Sequence, residues 1–329
     1  MACLPHLILG LVMTKEQKTV KQSKAWSYVQ IARPDHWIKN IFMIPGTVLA
    51  LMLGGHYSAL IGVKFLGAAI VLCLISSANY VINEYLDAAS DRYHPMKSKR
   101  AGARGKLEKR YVSLLYIALV TSGLALAWQF GVMFLTTAVV FLIMGILYNV
   151  EPFRTKDRAY LDVLSEAINN PLRFLLGWFV VITTALPPSS VLLAYWMGGA
   201  FLMAMKRYSE YRQFADPARI ALYRRSFKYY NEERLLLSSF FYALNATFFL
   251  GVFLIKYRIE YFLSLPFITI MFVWYVKIAL KKNSAAQAPE KLYGESAFLL
   301  YVLFVWILLG SLTVIDLPFL QILVEPVSY

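Results

Sequence analysis

The chain has 329 residues, of which 59% are hydrophobic and 16% are charged, and its formal net charge is +14. Water-soluble domains average roughly 45–50% apolar and about 25% charged residues, so the composition excludes an ordinary soluble domain and indicates an integral membrane protein. In such a protein a basic excess is typical of loops near anionic headgroups and does not indicate nucleic-acid binding. Of the two cysteines, Cys73 lies in an apolar run, so a disulfide framework is not supported.

The apolar runs predict an all-α, polytopic membrane bundle of nine transmembrane helices, because a span needs roughly 20 residues. We place the spans at residues 38–56, 60–82, 111–130, 132–150, 162–182, 188–206, 235–255, 260–280 and 296–316. Residues 1–30 form a basic and amphipathic N-terminal segment, and residues 31–329 form one transmembrane domain. The apolar stretch from Cys3 to Met13 is too short to span, and no signal peptide is expected, although Met13 is an alternative start.

Lysine and arginine residues concentrate in alternate connections. The N-terminal segment and the loops after the second, fourth, sixth and eighth predicted spans are rich in them, and the other loops hold almost none. Because cytoplasmic loops carry such an excess, we predict a cytoplasmic N-terminus and an external C-terminus. The absence of a recognisable targeting peptide favours a prokaryotic inner membrane.

The first polar cluster lies at the end of the second predicted span. Asn79, Asn83, Asp87 and Asp91 recur every four residues, so they share one face of a helix. Carboxylates together with substrate phosphates are the usual ligands of Mg²⁺ in proteins. We call these four side chains the ladder. A basic run follows it: Arg92, Lys97, Lys99, Arg100, Arg104, Lys106, Lys109 and Arg110. The pattern predicts a metal-dependent diphosphate site facing the cytoplasm; the alternative is a solvated helix end followed by an ordinary cytoplasmic loop.

A second polar cluster begins the fifth predicted span, where Asp162 and Glu166 are one helical turn apart. Polar residues flank them on both sides: Arg154, Lys156, Asp157 and Arg158 before, and Asn169, Asn170 and Arg173 after. Two such sites on one side of the membrane could hold two Mg²⁺ ions bridged by one diphosphate. The alternative is that Arg173 or Arg158 neutralises the carboxylates and only stabilises the bundle. Pro171 is expected to kink this helix.

Two further groups of polar residues lie near predicted span ends. Lys206, Arg207 and Glu210 end the sixth span and suit a sugar phosphate, although a simple interfacial anchor explains them equally well. Arg33, Trp37 and Lys39 are placed at the membrane interface, where the first span begins.

These motifs resemble the UbiA-type membrane prenyltransferase superfamily from about Arg33 through the ninth predicted span. The run from Asn83 to Asp91 is similar to the family motif N-D-x-x-D-x-x-x-D, with Glu84 in place of the usual aspartate. Asp162 and Glu166 are similar to the second motif, D-x-x-x-D, with glutamate as the second acid. The resemblance implies nine helices around a central cavity that two Asp-rich loops close on the cytoplasmic side.

Three stretches resemble the branch that contains decaprenyl-phosphate phosphoribosyltransferase: residues 33–40, 91–97 and 206–210. This branch implies phosphoribosyl diphosphate as donor and a polyprenyl phosphate as acceptor. Residues 156–166 instead resemble the general prenyltransferase pattern, and Ala101 replaces a usual proline. A prenyl diphosphate donor with an aromatic or alcohol acceptor therefore stays open, as does a non-enzymatic membrane transporter.

The resemblance also implies a role for each polar cluster. Metal ligands would be Asn83, Asp87, Asp91, Asp162 and Glu166, and the four acids among them would be the catalytic residues. Substrate-binding residues would be Arg33, Lys39, Asn40, Asn79, Lys97, Lys99, Arg100, Arg154, Lys156, Arg173, Lys206, Arg207 and Glu210. The basic members would offset the charge that develops as the diphosphate leaves.

Overall fold

The structure is a computed structural model that describes residues 24–54, 58–94, 96–105, 107–213, 217–282, 284–287, 292 and 294–323. Most of the predicted N-terminal segment, the alternative start at Met13 and Lys106 therefore lie outside the described residues. Across the described ranges all regular secondary structure is helical, which confirms the predicted all-α class.

Thirteen α-helices are described, and several are joined by short 3₁₀ turns. Their bounds are α1 Lys24–Ile31, α2 Ile44–Gly54, α3 Leu60–Leu86, α4 Ala88–Asp91, α5 Lys109–Ala127, α6 Val132–Asn149, α7 Leu161–Ala167, α8 Asn169–Trp178, α9 Ser189–Gln213, α10 Pro217–Tyr223, α11 Glu232–Tyr257, α12 Leu265–Ala279 and α13 Ser296–Val314. A 3₁₀ segment over Pro34–Met43 connects α1 to α2.

Six helical segments in the described ranges are long and apolar enough to cross a membrane. They are Ala25–Gly54, Leu60–Leu86, Lys109–Phe130, Val132–Asn149, Glu232–Tyr257 and Ile259–Ala279. Each overlaps a predicted span, although the first begins at Ala25 and the predicted span at residue 38, so the chain is an integral membrane protein. The fifth predicted span corresponds to α7 and α8, the sixth to α9, and the ninth to the shorter apolar helix α13.

The fifth predicted span is broken near Ile168, three residues before the proline that we expected to kink it. α7 ends at Ala167 and α8 begins at Asn169, which places Pro171 in the first turn of α8. A first-turn residue has no intrahelical partner for its N–H, so proline is tolerated there. The break lets α7 and α8 each direct polar side chains toward the same interior space.

α3 shows how the bundle presents one face to lipid and another to its interior. Leu60, Val63, Leu66 and Ile70 recur on one side of the helix and are each more than half exposed. The ladder that begins at Asn79 belongs to the inward-facing end of the same helix. An apolar exterior around a charged interior is expected in a bilayer, where polar groups must be satisfied inside the protein.

α2 and α8 pack backbone to backbone. A Cβ atom added at Gly46 would overlap the Phe174 carbonyl oxygen, and one added at Gly177 would overlap that of Met43. The Thr47 hydroxyl donates to the Gly177 carbonyl oxygen at 2.9 Å. Small residues allow such close approach between membrane helices. The contact holds α8 firmly against the segment that precedes α2.

Candidate active site

A cavity of about 410 Å³ opens between α3, α6, α8 and α9. Most of the predicted site residues line it: Arg33, Lys39, Asn79, Asn83, Asp87, Asp91, Lys97, Arg100, Glu166, Arg173, Lys206 and Glu210. Both Asp-rich motifs and the third cluster thus contribute to one space, although they are far apart in sequence.

The remaining predicted residues do not line the cavity: Asn40, Lys99, Arg154, Lys156, Asp162 and Arg207. Lys99 is exposed to solvent. Asn40 accepts a hydrogen bond from Arg173 at 3.2 Å, so it supports a lining residue from behind. Arg154, Lys156 and Arg207 form ion pairs with carboxylates of the two motifs, and Asp162 is one of those carboxylates.

The ladder is completed by cations from the loop between α6 and α7. The Asp87 Oδ1 atom accepts from Arg154 at 3.1 Å and from the Lys156 ammonium. Lys156 also donates to Asn149 Oδ1 at 2.9 Å, and the Asn83 amide donates to the same oxygen at 2.6 Å. Burial lowers the pKa of Lys156 to about 8. Burial also acts to raise the pKa of Asp87, but the charges of Lys156, Arg224 and Arg154 and the hydrogen bond from Lys156 together outweigh it and hold that pKa below its usual range.

The next acid of the ladder fixes the basic loop against α3. Arg100 donates to Asp91 Oδ2 at 2.8 Å and lies 3.9 Å from the Glu84 carboxylate. Glu84 is buried and does not line the cavity, so the residue that departs from the family motif braces the loop. A Cβ atom added at Gly102 would overlap the Glu84 carbonyl oxygen, which shows how closely the loop approaches the helix.

The oxygen donors of the ladder fit Mg²⁺ only as part of a site that the substrate completes. Within the described ranges, no three His, Cys, Asp or Glu side chains are close enough to hold a metal ion by themselves. Mg²⁺ is usually bound by one or two carboxylates together with substrate phosphates. Asp87 and Asp91 each use one carboxylate oxygen in the ion pairs described above, which leaves a second oxygen on each acid. Asn83, Asp87 and Asp91 therefore suit such a shared site.

Asp162 occupies a different position from the one its motif suggested. Its side chain is fully buried, and Oδ1 accepts from the Tyr230 hydroxyl at 2.6 Å. Oδ2 accepts from Arg207 and from Ser226, each at 3.2 Å, and lies 3.5 Å from Arg224. Both carboxylate oxygens are engaged by protein groups, so Asp162 anchors the segment between α10 and α11.

Arg207 is the central cation of this second cluster. It is 1% exposed and contacts Asp162, Glu166 and Glu210, the last at 2.9 Å. Lys206 lies 3.5 Å from Glu166, and the Tyr148 hydroxyl donates to Glu166 at 2.8 Å. Arg207 therefore takes the neutralising position that the sequence suggested for Arg173 or Arg158.

The basic loop docks on α10 through Lys97. Its ammonium lies 3.3 Å from Glu210 and contacts the Tyr223 hydroxyl, and the His94 ring packs edge-on against Tyr223. Burial lowers the pKa of Lys97 to about 8 and that of His94 to about 4. His94 is therefore neutral at physiological pH, and Lys97 is close to its titration point.

Sequence reasoning missed several cavity residues, notably Tyr80, Tyr148, Asn149, Tyr223 and Arg224. Arg224 looked like one more cation of a cytoplasmic loop. The available signal for Asn149 was weak, since it is a single polar residue at the end of an apolar run. Their inclusion depends on contacts between residues distant in sequence, such as that of Arg224 with Asp162.

The sequence is similar to a known protein family and to known proteins. The model of the UbiA prenyltransferase family matches residues 42–308. A decaprenyl-phosphate phosphoribosyltransferase from Mycobacterium tuberculosis is 29% identical over 184 residues, which are 55% of this chain and 59% of that relative. Nodulation protein NoeC from Azorhizobium caulinodans is 24% identical over 204 residues, 61% of this chain and 63% of that protein. The matched stretch thus spans less than two thirds of either relative.

The fold has a counterpart among solved structures. A UbiA homolog from Archaeoglobus fulgidus, bound to DMAPP and Mg²⁺, superposes with a TM-score of 0.65 and 21% identity, covering 88% of this chain and 100% of that one. At this identity the likeness shows a shared fold. Because the family model extends over most of the sequence, the chain belongs to the UbiA prenyltransferase family, as an enzyme of that family.

Proposed function

We propose that this enzyme transfers a 5-phosphoribosyl group from phosphoribosyl diphosphate to a polyprenyl phosphate, with Mg²⁺ as cofactor. The observation that carries the proposal is the distribution of cations around the cavity. Arg33, Lys39, Arg173 and Lys206 line it in addition to the cations around the ladder. A prenyl diphosphate carries phosphate at one end only. The proposed substrates together bring a diphosphate, a sugar phosphate and a lipid phosphate, which matches cations placed around a whole cavity.

In this proposal Asn83, Asp87 and Asp91 hold the metal together with the donor diphosphate. When bound, Mg²⁺ would supply positive charge to the diphosphate and so make it a better leaving group. Lys97 and Arg100 offset the charge that grows on that group from the cavity wall. Arg154 and Lys156 hold Asp87 in place from behind.

The second motif has a supporting role in this proposal. Glu166 lines the cavity and fixes Lys206, while Asp162 holds Arg224 in the cavity wall. Arg33, Lys39 and Lys206 then position the sugar phosphate or the lipid phosphate. Arg207 neutralises Asp162, Glu166 and Glu210.

The proposed reaction is a substitution at the anomeric carbon. An oxygen of the lipid phosphate forms a bond to that carbon, the bond to the diphosphate breaks, and the diphosphate leaves with the electron pair. The carbon becomes oxocarbenium-like between the two groups. No strong general base is required, because the attacking phosphate oxygen is already anionic.

We also propose that nine helical segments of one domain, residues 31–329, cross a prokaryotic inner membrane with the N-terminus and the active site on the cytoplasmic side. α7 with α8, α9 and α13 would supply the three spans beyond the six apolar segments. The support is the alternation of basic and non-basic loops.

Transfer of a prenyl group from a prenyl diphosphate to an aromatic or alcohol acceptor is the second candidate. The family that the chain belongs to, and the Mg²⁺- and DMAPP-bound state of the Archaeoglobus fulgidus homolog, favour it. The metal site would serve either donor, so the ladder does not separate the two reactions.

A donor comparison tests the proposal. Purified protein in detergent is incubated with Mg²⁺, polyprenyl phosphate and labelled phosphoribosyl diphosphate, and separately with labelled prenyl diphosphates and a panel of aromatic and alcohol acceptors. We expect labelled lipid only from phosphoribosyl diphosphate, and none after addition of EDTA. Labelled product only from a prenyl diphosphate would refute phosphoribosyl transfer, and no product from any donor would favour a transporter.

A further inference from the structure

In the part of the chain that the structure describes, two buried amide oxygens in the cavity wall have no protein donor. They are Oδ1 of Asn79 and Oδ1 of Asn169, and both residues line the cavity. Each amide nitrogen donates to a backbone carbonyl at 3.0 Å, that of Phe141 for Asn79 and that of Glu166 for Asn169. Rotating either amide would place its oxygen against a carbonyl oxygen, so the hydrogen bonds define the orientation. Buried acceptors are rarely left unpaired, so both oxygens are available to a hydrogen-bond donor that enters the cavity.

Arg173 lies on the same helix as Asn169, and within the described ranges its hydrogen-bond partners are neutral. Its guanidinium donates to Asn40 Oδ1 at 3.2 Å and to the Asn169 carbonyl at 3.3 Å, and it lies 5.1 Å from the centre of the Phe141 ring. Only 6% of the residue is exposed, and in the described ranges no carboxylate is within 4.0 Å of it. Glu166 acts on the guanidinium only from beyond contact distance, so the buried charge is incompletely compensated and favours an anionic ligand.

Two of the three side chains, Asn79 and Arg173, contact one residue of α6, and the third lies on the same helix as Arg173. The Asn79 amide binds the Phe141 carbonyl, the Arg173 guanidinium lies over the Phe141 ring, and Asn169 is one helical turn before Arg173. One turn beyond Phe141, a Cβ atom added at Gly145 would overlap the Asn79 amide. The glycine therefore makes the space in which that amide is held.

We propose that these residues form a subsite for a sugar phosphate. Asn79 and Asn169 accept hydrogen bonds from sugar hydroxyl groups, and Arg173 binds the phosphate of the same sugar. The subsite rests on the proposed function, and it assigns the ribose 5-phosphate part of the donor to the end of the cavity away from the loop cations. A prenyl chain has no hydroxyl groups and would leave both oxygens unpaired.

Direct binding to the protein in lipid nanodiscs with Mg²⁺ tests the subsite. The probes are phosphoribosyl diphosphate and inorganic diphosphate, which shares the diphosphate but has no sugar. We expect Asn79→Leu and Asn169→Leu each to weaken binding of phosphoribosyl diphosphate about three- to tenfold, the effect of one lost hydrogen bond. Arg173→Met should weaken it at least tenfold, and all three variants should bind inorganic diphosphate within about twofold of the unchanged protein.

Asn245→Leu is the matched control. Asn245 lies in α11, donates to the Phe241 carbonyl at 2.9 Å as Asn169 donates to that of Glu166, and is not among the cavity-lining residues. Asn245→Leu should leave the affinities for phosphoribosyl diphosphate and for inorganic diphosphate unchanged. The subsite would be overturned if the cavity variants lost affinity for phosphoribosyl diphosphate and inorganic diphosphate in parallel. It would also be overturned if they lost affinity for neither, even if phosphoribosyl transfer is observed.

A second measurement uses the unchanged protein, so it does not depend on how the variants fold. Analogues of phosphoribosyl diphosphate that lack the 2- or the 3-hydroxyl group are compared with the parent compound. At least one should bind about three- to tenfold more weakly, and this penalty should shrink in Asn79→Leu or Asn169→Leu. Equal binding of both analogues would overturn the subsite. Binding of prenyl diphosphate without any binding of phosphoribosyl diphosphate would instead refute the proposed function.

Discussion

Replacing Arg207 with methionine tests whether the second motif is held together by one buried cation. Arg207 is 1% exposed and contacts three carboxylates, those of Asp162, Glu166 and Glu210. Removing one partner of a buried ion pair leaves uncompensated charge and costs about 3–5 kcal/mol. At about 2 °C per kcal/mol for a chain of this size, we expect the apparent Tm to fall by about 6–10 °C.

The matched control lies on the same helix. The Arg212 side chain is 39% exposed and 3.8 Å from an exposed Glu232, and an ion pair of that kind contributes about 0–1 kcal/mol. Arg212→Met should therefore change the apparent Tm by no more than about 2 °C. Thermal unfolding of both variants in one detergent, followed by tryptophan fluorescence at one scan rate, makes the comparison. Equal melting temperatures for the two variants would refute the view that Arg207 is the structural centre of the cluster.

Three further predictions concern the cavity itself. Asp87→Asn should lower the rate of Mg²⁺-dependent phosphoribosyl transfer at least about 100-fold, while the size-exclusion elution profile of the protein stays unchanged. Retained transfer would contradict the assignment of Asp87 as a metal ligand. Because burial lowers the pKa of Lys97 to about 8, its charge is lost as the pH rises from about 7 to about 9, so the affinity for phosphoribosyl diphosphate should fall over that range. The arginine in Lys97→Arg stays charged, so the affinity of this variant for phosphoribosyl diphosphate should fall less over the same pH range in a binding titration. An equal fall in the variant and the unchanged protein would contradict a role for the Lys97 charge in binding. Gly145→Ala should displace the Asn79 amide and weaken binding of phosphoribosyl diphosphate about tenfold, while Gly198→Ala, which meets open space, should not; equal affinities for the two would contradict the packing.

The first motif was predictable because its geometry is local. Residues four apart share a helix face whatever the rest of the chain does, so Asn79, Asn83, Asp87 and Asp91 could be placed together from spacing alone. Apolar runs long enough to span a bilayer are likewise a local signal. Both predictions depended only on periodicity within a single segment.

The second motif was predictable in composition but not in geometry. Spacing places Asp162 and Glu166 on one helix, but it does not show that Tyr230, Ser226 and Arg207 occupy the oxygens of Asp162. Those partners are between 45 and 68 residues away in sequence. Their arrangement depends on how α9 and the segment after α10 pack on α7, which periodicity does not encode. The distinction between a metal ligand and an anchor therefore required the fold.

The fate of two labels on the donor tests the central claim most directly. Phosphoribosyl diphosphate labelled separately in the ribose and in the diphosphate is incubated with the protein, Mg²⁺ and polyprenyl phosphate, and lipid and aqueous phases are then separated. Phosphoribosyl transfer predicts that the ribose label enters the lipid phase while the diphosphate label stays in the aqueous phase. Diphosphate label in the lipid, or no ribose label there, would contradict the proposed reaction.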